Sequence, residues 1–390
     1  MIKNKKKKLL FLGFPFMLEG LYTKSDINNG YIAYSFNVLD ELIKYYDVTV
    51  VTDKPSFFKK KNVEVCNIFN KNNLDENFSS SWKSLFSYIL NPQEKIFQRD
   101  LIYRNWSVFS CLDIKKTNDL INDNNFSFVL FNRCDFFFLS LLFKNENQKK
   151  IMLSHDSQFL RKKSFSSAYK YQHRLLAFEK SVEQILYKDF NKIIAISPLE
   201  QKFFAQSVNS DRVVLYRPTI NIPKQLAKIS LKKTIKAYFL GSAHFSNAQL
   251  FLDAYSVVRL IRRSGLKIEF YGIGAFAKSL SKKDFSCNGY KLLGDIKDLN
   301  KVMLDLDLQI CPIKMGSGAP TKIAEGLNFG HFILTSSFGS SVYPEFKETR
   351  IFTGNNPLIE LKKMEAECEK KECFTSYKKY NKLNNLRDLI

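Results

Sequence analysis

One stretch of the sequence decides the fold of this chain: LQICPIKMGSGAPTKIAEGLNFGHFILTS, residues 308–336. It begins and ends with a short apolar run, as two buried strands would. Between the two runs, Gly316-Ser317-Gly318 predicts a loop, and Pro320 suits the first turn of a helix that ends near Gly330. The order strand, glycine loop, helix, strand is typical of a parallel α/β sheet.

The loop and helix of this stretch form a candidate phosphate site. In an open parallel sheet, ligands bind outside the carboxyl ends of the strands. A helix that begins there presents unpaired N–H groups and the positive end of its dipole. Lys322 adds a full charge in the first turn, and Glu325, on the same face, would accept from sugar hydroxyls. The same spacing also fits an ordinary helix with a solvated Lys322–Glu325 surface pair.

The composition favours an anionic partner. The chain has 390 residues, enough for two domains, and its 60 Lys and Arg against 38 Asp and Glu give a formal net charge of +22. Nucleic acid, an anionic membrane surface and phosphorylated small molecules all fit this excess, as does a plain basic surface. The one dense cluster is Lys3 with Lys5–Lys8.

Cysteine usage and the apolar segments indicate a chain without disulfides or spanning helices. The seven cysteines lie at positions 66, 111, 134, 287, 311, 368 and 373. Their odd number and spacing suit neither a disulfide framework nor a metal site, so we expect reduced thiols and no obligatory metal or other cofactor. The lysine cluster before Leu9–Leu18 is similar to a signal peptide but lacks a small-residue cleavage site, so a basic tail and a first strand are preferred. Phe126–Phe143 is too interrupted by polar residues to span a bilayer.

The first half of the chain has its own strand, loop, helix, strand order. Strand one is predicted at Lys8–Phe14, and a loop to about Gly30 precedes a helix over Ala33–Tyr45 and a strand over Asp47–Thr52. Further along, Lys150–Asp156 reads as a strand that ends in polar residues, among them His155. Gly30 also fits a simple glycine at a helix start, and a lone histidine is more often structural than functional.

The stretch quoted above resembles the nucleotide-sugar loop of the family 4 retaining glycosyltransferases of GT-B fold. Their pattern is roughly P-x-x-x-G-x-G-x-x-x-K-x-x-E-A-x-x-x-G-x-x-x-x-x-T. The residues that match are Pro312, Gly316, Gly318, Lys322, Glu325, Gly330 and Thr335 or Ser336. Two positions depart from it: Gly326 replaces the usual Ala, and Ser317 stands where the Glu-x7-Glu form has its first Glu.

Other segments resemble the same family in the same order. Ser154-His155-Asp156 is similar to the family's SHD at a strand end, where the histidine binds or positions the reacting sugar. Gly241 and Ser242 belong to a segment similar to F-V-G-S-x-x-x-x-P-N, which implies a second loop for the donor phosphates. The Arg and Lys that many relatives carry there are absent, which leaves the diphosphate largely to Lys322.

Two more donor contacts follow from the resemblance. Leu292–Leu299 is similar to G-x-V-x-D-L, a turn that lies against the nucleobase, so Asp295 and Ile296 are predicted to contact the base. Gly30 is the nearest match to the family's first-loop glycine, which lies next to donor and acceptor. The catalytic set implied by the resemblance is His155, Lys322 and Glu325.

The resemblance implies two Rossmann-like, doubly wound α/β domains that face each other across a cleft. We predict an N-terminal acceptor domain over residues 1–220, a linker over 221–233 and a C-terminal nucleotide-sugar-binding domain over 234–374. Residues 375–390 are predicted to form a helix that crosses back to the first domain.

The implied function is transfer of a sugar from a nucleotide-diphosphate donor to an acceptor hydroxyl, with retention, in surface glycan or polysaccharide biosynthesis. The expected partners are a nucleotide sugar, a glycan or lipid-linked acceptor and an anionic membrane surface reached through Lys3–Lys8, but not nucleic acid. The expected location is cytoplasmic, peripheral at the inner face of the membrane. Two alternatives stay open: a GT-B sugar-nucleotide epimerase, which needs no acceptor, and a non-catalytic basic binding protein.

Overall fold

The computed structural model places most of the chain in two α/β domains. It describes residues 6–13, 30–52, 58, 61–68, 112–123, 125–132, 134–165, 173–243, 245–280, 289–296, 298–368, 373–384 and 386. The main boundary between two compact units lies between Tyr216 and Arg217; of the described residues outside it, 30–34 are grouped in the second unit and Leu386 in the first. Residues 69–111 lie outside the described residues, and so do Lys3 and Lys5 of the lysine cluster, whereas Lys6–Lys8 are described.

The first domain contains a seven-stranded parallel sheet in the order β3-β2-β1-β4-β5-β6-β7. Its strands are β1 (Lys8–Leu12), β2 (Asp47–Val51), β3 (Glu64–Cys66), β4 (Phe126–Asn132), β5 (Lys149–Leu153), β6 (Lys192–Ala195) and β7 (Val213–Leu215). Its helices are α1 (Gly30–Leu42), α2 (Ile114–Asn122), α3 (Gln158–Phe165), α4 (His173–Tyr187) and α5 (Pro198–Ala205), with 3-10 turns at Cys134–Leu142 and Ser210–Arg212.

Continuous apolar strands form the centre of this sheet because helices cover both of its faces. Four of the five residues of β1 and six of the seven of β4 are buried. Phe131 contacts the rings of Phe143 and Phe190 edge to face, with centroids 5.6 and 5.5 Å away. The apolar segment over 126–143 is therefore a core strand followed by a 3-10 turn. Among the described residues, no helix combines the length and apolar character needed to cross a bilayer.

The second domain contains a six-stranded parallel sheet in the order β10-β9-β8-β11-β12-β13. Its strands are β8 (Ile235–Leu240), β9 (Ile268–Ile273), β10 (Lys291–Gly294), β11 (Leu308–Cys311), β12 (Phe332–Thr335) and β13 (Ile351–Phe352). Its helices are α6 (Phe245–Arg263), α7 (Leu299–Met303), α8 (Thr321–Asn328), α9 (Ser337–Ser340), α10 (Pro357–Glu367) and α11 (Cys373–Leu383), with 3-10 turns at Ala275–Ser279 and Pro344–Phe346.

The predicted linker and the predicted terminal helix both pack on the second domain. Ile229, in the segment over 221–233, is buried in the core of that domain. The terminal helix spans Cys373–Leu383, and its Tyr380 hydroxyl donates to Pro218 O at 2.6 Å. The Tyr377 hydroxyl donates to Leu327 O at 2.9 Å. The buried face of the helix thus packs within the second domain, and the described Leu386 after it groups with the first unit.

Both sheets reverse their strand order at one place. In the first sheet the reversal lies between β1 and β4, and in the second it lies between β8 and β11. The connections leave such a point toward opposite faces, which opens a crevice at the carboxyl ends of the two central strands. The topology therefore indicates one candidate ligand site in each domain.

Glycines end the central strands where backbone segments crowd together. Gly13 follows β1 with φ +98°, and a Cβ there would lie 2.6 Å from Asn132 O. Gly274 follows β9 with φ +109°, and a Cβ there would overlap the carbonyl oxygen of Gly241. Each position has a positive φ, which disfavours residues with a side chain, and also lacks the space for a Cβ.

We expect Gly274→Ala to destabilise the second domain more than Gly265→Ala does. Both glycines have a positive φ, but a Cβ at Gly265 meets nothing within 4 Å. The shared conformational penalty is roughly 1–2 kcal/mol, and crowding at Gly274 adds about 1–3 kcal/mol. Urea unfolding of both variants measures the difference. Equal losses of stability would show that Gly274 is required only for its backbone angle.

Candidate functional site

A hydrogen bond between two helix N-termini marks the reversal point of the second sheet. Lys322, in the first turn of α8, donates from Nζ to Asn247 Oδ1 at 2.6 Å. Asn247 lies in the first turn of α6 and donates from Nδ2 to Ser242 O at 2.9 Å and to Ser242 Oγ at 3.3 Å. The loop after β8 and the helix after β11 are therefore joined at one point, as neighbouring strands allow.

Lys322 is largely enclosed, and no ion pair of Lys322 is present in the described part of the chain. Its Nζ lies 5.1 Å from the centroid of the Phe239 ring, a cation–π distance. Burial lowers the pKa of the Lys322 ammonium, opposed by nearby acidic groups including Glu325. A buried cation next to two helix N-termini attracts an anion. The Lys322–Glu325 surface pair that the spacing also allowed is not formed.

Glu325 lies one helical turn after Lys322 on α8 and is also largely enclosed. Burial raises the pKa of its carboxyl to about 7, against the opposing effect of the Lys322 charge. A carboxyl with this pKa changes its ionisation near neutral pH. When ionised it accepts hydrogen bonds only, which suits a pair of sugar hydroxyls.

Three glycine turns meet at the carboxyl ends of β8, β9 and β10. The Gly274 amide donates to Gly294 O at 2.7 Å, and Gly274 packs directly on the backbone of Gly241. The next two residues after Gly294 are predicted base contacts. Asp295 pairs with Lys278 at 3.4 Å at the surface, and Ile296 packs on the cluster that contains Tyr238. The structure thus brings the predicted phosphate loop and the predicted base turn to one edge of the sheet.

The loop after β11 is held by hydroxyls from the end of β12. Thr335 Oγ1 donates to Cys311 O at 2.6 Å, and Ser336 Oγ donates to Ile313 O. Gly316 has φ +146°, Ser317 is only 1% exposed and Gly318 is partly buried. Thr335 and Ser336, which match the family pattern, therefore support the loop from beneath.

The departure at Gly326 has a steric cause. A Cβ there would lie 2.6 Å from Gln309 Oε1 and 3.0 Å from the Tyr238 hydroxyl. Gln309 Nε2 donates to Lys322 O at 3.0 Å, so this polar side chain also supports the first turn of α8. The Tyr238 hydroxyl lies 2.9 Å from His331 Nδ1. Together with Ile333 Cδ1 on β12, 2.7 Å from that Cβ position, these polar side chains on β8 and β11 occupy the space that the alanine methyl group would enter.

In the first domain, a hydrogen bond to Asn132 connects His155 to the point where the strand order of the first sheet reverses. His155 Nε2 lies 2.6 Å from Asn132 Oδ1, and Asn132 Nδ2 donates to Gly13 O at 3.0 Å and to Ser35 Oγ at 3.1 Å. Because a backbone carbonyl only accepts, the amide orientation is determined and His155 Nε2 carries the proton. Asn132 and Gly13 were missed by the sequence analysis. The signal that could have found them was a polar residue at the end of an apolar strand.

Two buried glutamate side chains hold the loop that carries His155. Glu200 accepts from Ser157 N at 2.6 Å and from Ser154 Oγ at 3.1 Å. Glu183 accepts from Ser157 Oγ at 2.7 Å and from Gln158 N at 2.6 Å. Burial raises the pKa of Glu200 to about 8, with a further contribution from Asp156. The ends of this network lie more than 40 residues apart in the chain.

The remaining predicted residue, Gly30, is the first residue of α1, and the loop before it lies outside the described residues. His155 belongs to the first domain, whereas Lys322, Glu325 and the three phosphate-loop residues 316–318 belong to the second. Within the described ranges, no group of three or more His, Cys, Asp or Glu side chains is arranged to hold a metal ion.

Comparison with known proteins identifies the fold but no close relative. No protein-family model and no curated protein sequence matches the chain. HepE from Anabaena in complex with UDP aligns over 97% of both chains with a TM-score of 0.60 and 11% identity. Sucrose-phosphate synthase from Thermosynechococcus elongatus aligns over 98% of this chain and 96% of its own, with a TM-score of 0.63 and 10% identity.

A third solved structure is the lipopolysaccharide outer core galactosyltransferase WaaB, with a TM-score of 0.59, 10% identity and coverage of 97% of this chain and 98% of its own. The structures that match over nearly the whole chain include GT-B glycosyltransferases. The predicted GT-B fold, with two parallel α/β domains, is confirmed.

We expect His331 to stay neutral between about pH 5 and 8, because burial lowers its pKa to about 4. Below about pH 6.5, the pKa of an unfolded histidine, the unfolded chain binds a proton at position 331 that the folded chain does not. The free energy of unfolding therefore falls as the pH drops from about 6.5 toward 4. Nitrogen-15 NMR of the four histidines, assigned with His331→Gln and His155→Gln, measures this. Neutral His155 should show the Nε2–H tautomer. A midpoint for His331 near 6.5 would contradict the structure.

Proposed function

We propose that this chain is a glycosyltransferase that moves a sugar from a nucleotide-diphosphate donor to an acceptor hydroxyl, with retention. The observation that carries the proposal is the Lys322–Asn247 hydrogen bond, which joins two helix N-termini and a buried ammonium at the reversal point of the second sheet. Such an arrangement concentrates positive charge where an anion is needed to balance it. The likeness to HepE, whose crystal structure holds UDP, supports a nucleotide as that anion.

The leaving diphosphate is the group that the second domain stabilises in this proposal. Charge that develops on the diphosphate as the sugar leaves is balanced by Lys322 and by N–H groups at the helix starts. Backbone groups of Gly241, Ser242 and the loop over 316–318 contact the phosphates. These groups supply the charge stabilisation that a metal ion supplies elsewhere, so the proposal requires no metal.

The other predicted residues take the remaining parts of the donor. Glu325 accepts from the ribose hydroxyls, and Asp295 and Ile296 lie against the base. His155, oriented by Asn132, positions the reacting sugar from the first domain, which we propose to bind the acceptor. Gly30 is proposed to lie close to donor and acceptor.

We further propose that the acceptor is a growing surface glycan or a lipid-linked sugar, reached from the cytoplasmic face of a membrane. The support is the net charge of +22 and the cluster over Lys3–Lys8, which favour an anionic lipid surface. Cosedimentation with anionic and neutral vesicles, at low and high salt, tests this part separately from the chemistry.

The experiment for the reaction is incubation with a panel of nucleotide sugars, with and without lipid-linked acceptors, followed by measurement of released nucleotide. Release that depends on both donor and acceptor supports the transferase. Conversion of the donor into an epimer without any acceptor would support an epimerase instead. Failure to bind any nucleotide sugar would reject the proposal.

We expect Lys322→Ala to lower kcat by about 100- to 1,000-fold, the usual effect of removing one group that stabilises transition-state charge. Lys314→Ala is the matched control, since Lys314 lies in the loop before α8, is exposed and, among the described residues, forms its ion pair with Asp253 at 3.7 Å. Steady-state kinetics of both variants, with the nucleotide sugar that the donor panel identifies, measures the change in kcat. Equal turnover of folded Lys322→Ala and wild type would remove Lys322 from the site.

Donor affinity is expected to rise as the pH increases through about 7, because Glu325 must lose its proton to accept from both ribose hydroxyls. A nucleoside diphosphate sugar is the right ligand, since it lacks the terminal phosphate that titrates near pH 6. Calorimetry between about pH 6 and 8 measures the trend. In Glu325→Gln the affinity should be lower and independent of pH. An unchanged pH profile in that variant would assign the titration to another group.

A further inference from the structure

We propose that Asn247 is a positioning residue that keeps Lys322 and Glu325 from pairing with each other. Both charged groups then stay available to a ligand, the ammonium for phosphate and the carboxylate for hydroxyls. The ligand roles rest on the proposed function, whereas the separation of the two charges is a property of the chain itself.

The first observation is an ion pair that helix geometry favours but the structure does not contain. Lys322 and Glu325 are three residues apart on α8, a spacing at which opposite charges commonly attract. In the described part of the chain Lys322 has no carboxylate within 4.0 Å, as its Nζ donates instead to Asn247 Oδ1 at 2.6 Å. A residue from another helix thus takes the place of the near neighbour.

The second observation is that the Asn247 amide has only one possible orientation. Its Nδ2 donates to Ser242 O at 2.9 Å, and a backbone carbonyl can only accept. Its Oδ1 is therefore turned toward Lys322. Asn247 is 5% exposed, and a Cβ on Gly241 would lie 3.1 Å from the Asn247 Cβ, so the amide is packed in place as well as hydrogen-bonded.

The third observation is the neutrality of the acceptor. An amide oxygen orients the ammonium without cancelling its charge, so the full charge stays available to an incoming anion. An aspartate at this position would form a buried ion pair and neutralise it. The Phe239 ring, 5.1 Å from Nζ, likewise favours the cation without supplying a negative charge.

Removal of the amide leaves a partly buried ammonium with one acceptor fewer. A carboxylate that can compensate is Glu325, three residues on along α8, whose charge already acts on Lys322. We therefore expect the two side chains to pair in Asn247→Ala. That pair would occupy both the phosphate-binding cation and the hydroxyl acceptor.

The binding test is a double-mutant cycle with UDP, measured by calorimetry. Asn247→Ala should weaken UDP binding by about 10- to 30-fold, as loss of a charged hydrogen bond does. In the Glu325→Gln background the same substitution should weaken binding by less than about threefold, because no carboxylate is left to capture Lys322. Equal losses in both backgrounds would overturn the proposal, since a purely structural role is independent of Glu325.

Asn356→Ala is the matched control. Asn356 is also an asparagine at the start of a helix in the second domain, and its Oδ1 accepts from Leu358 N at 3.0 Å. It should lose helix-cap stability but keep UDP affinity. Thermal unfolding of all variants shows that each is folded at the temperature of the binding experiment.

A crystal structure of Asn247→Ala without nucleotide tests the separation directly. We expect Lys322 Nζ within about 4 Å of the Glu325 carboxylate, the limit for an ion pair. An ammonium that stays away from Glu325 would overturn the proposal. If the wild type binds neither UDP nor ADP or GDP, the proposed function fails, and this structure still decides whether Asn247 keeps the two charges apart.

Discussion

The hydrogen bond from Lys322 to Asn247 is the interaction on which the candidate site depends. It places the first turns of α6 and α8 together although both carry the positive end of a helix dipole. A buried ammonium adds to the same charge, and burial lowers its pKa. This concentration of like charge is unfavourable until an anion arrives. The packing of the second sheet supplies the stability that holds it in place.

In both domains an asparagine amide orients a side chain of the candidate site. At each reversal point an asparagine amide donates to a backbone carbonyl and turns its oxygen toward a side chain of the candidate site. In the first domain Asn132 donates to Gly13 O and faces His155. In the second, Asn247 donates to Ser242 O and faces Lys322. A neutral amide suits this role because it orients a titratable group without setting its charge.

Much of the fold follows from local patterns. Buried parallel strands read as short apolar runs, and the two strands predicted at the ends of residues 308–336 are confirmed as β11 and β12. Neighbouring residues likewise predict the loop over 316–318, the helix start near Lys322 and the cap at Gly330, since turns and helix ends depend on local sequence. For the same reason the spacing of Lys322 and Glu325 along the chain is enough to indicate both residues as candidates.

The sequence by itself determined the α/β order, the glycine loops and the charged first turn of α8, because each depends on residues only a few positions apart. The tertiary structure decided which side chains surround those residues. Asn247 meets Lys322 across 75 positions, and Asn132 meets Gly13 across 119, distances that only strand order can bridge. It also decided the crowding around Gly326, where side chains from three different strands, Gln309, Ile333 and Tyr238, occupy the space that a Cβ would enter. Local sequence patterns do not predict these contacts between distant residues, since the residues come together only when the sheet forms.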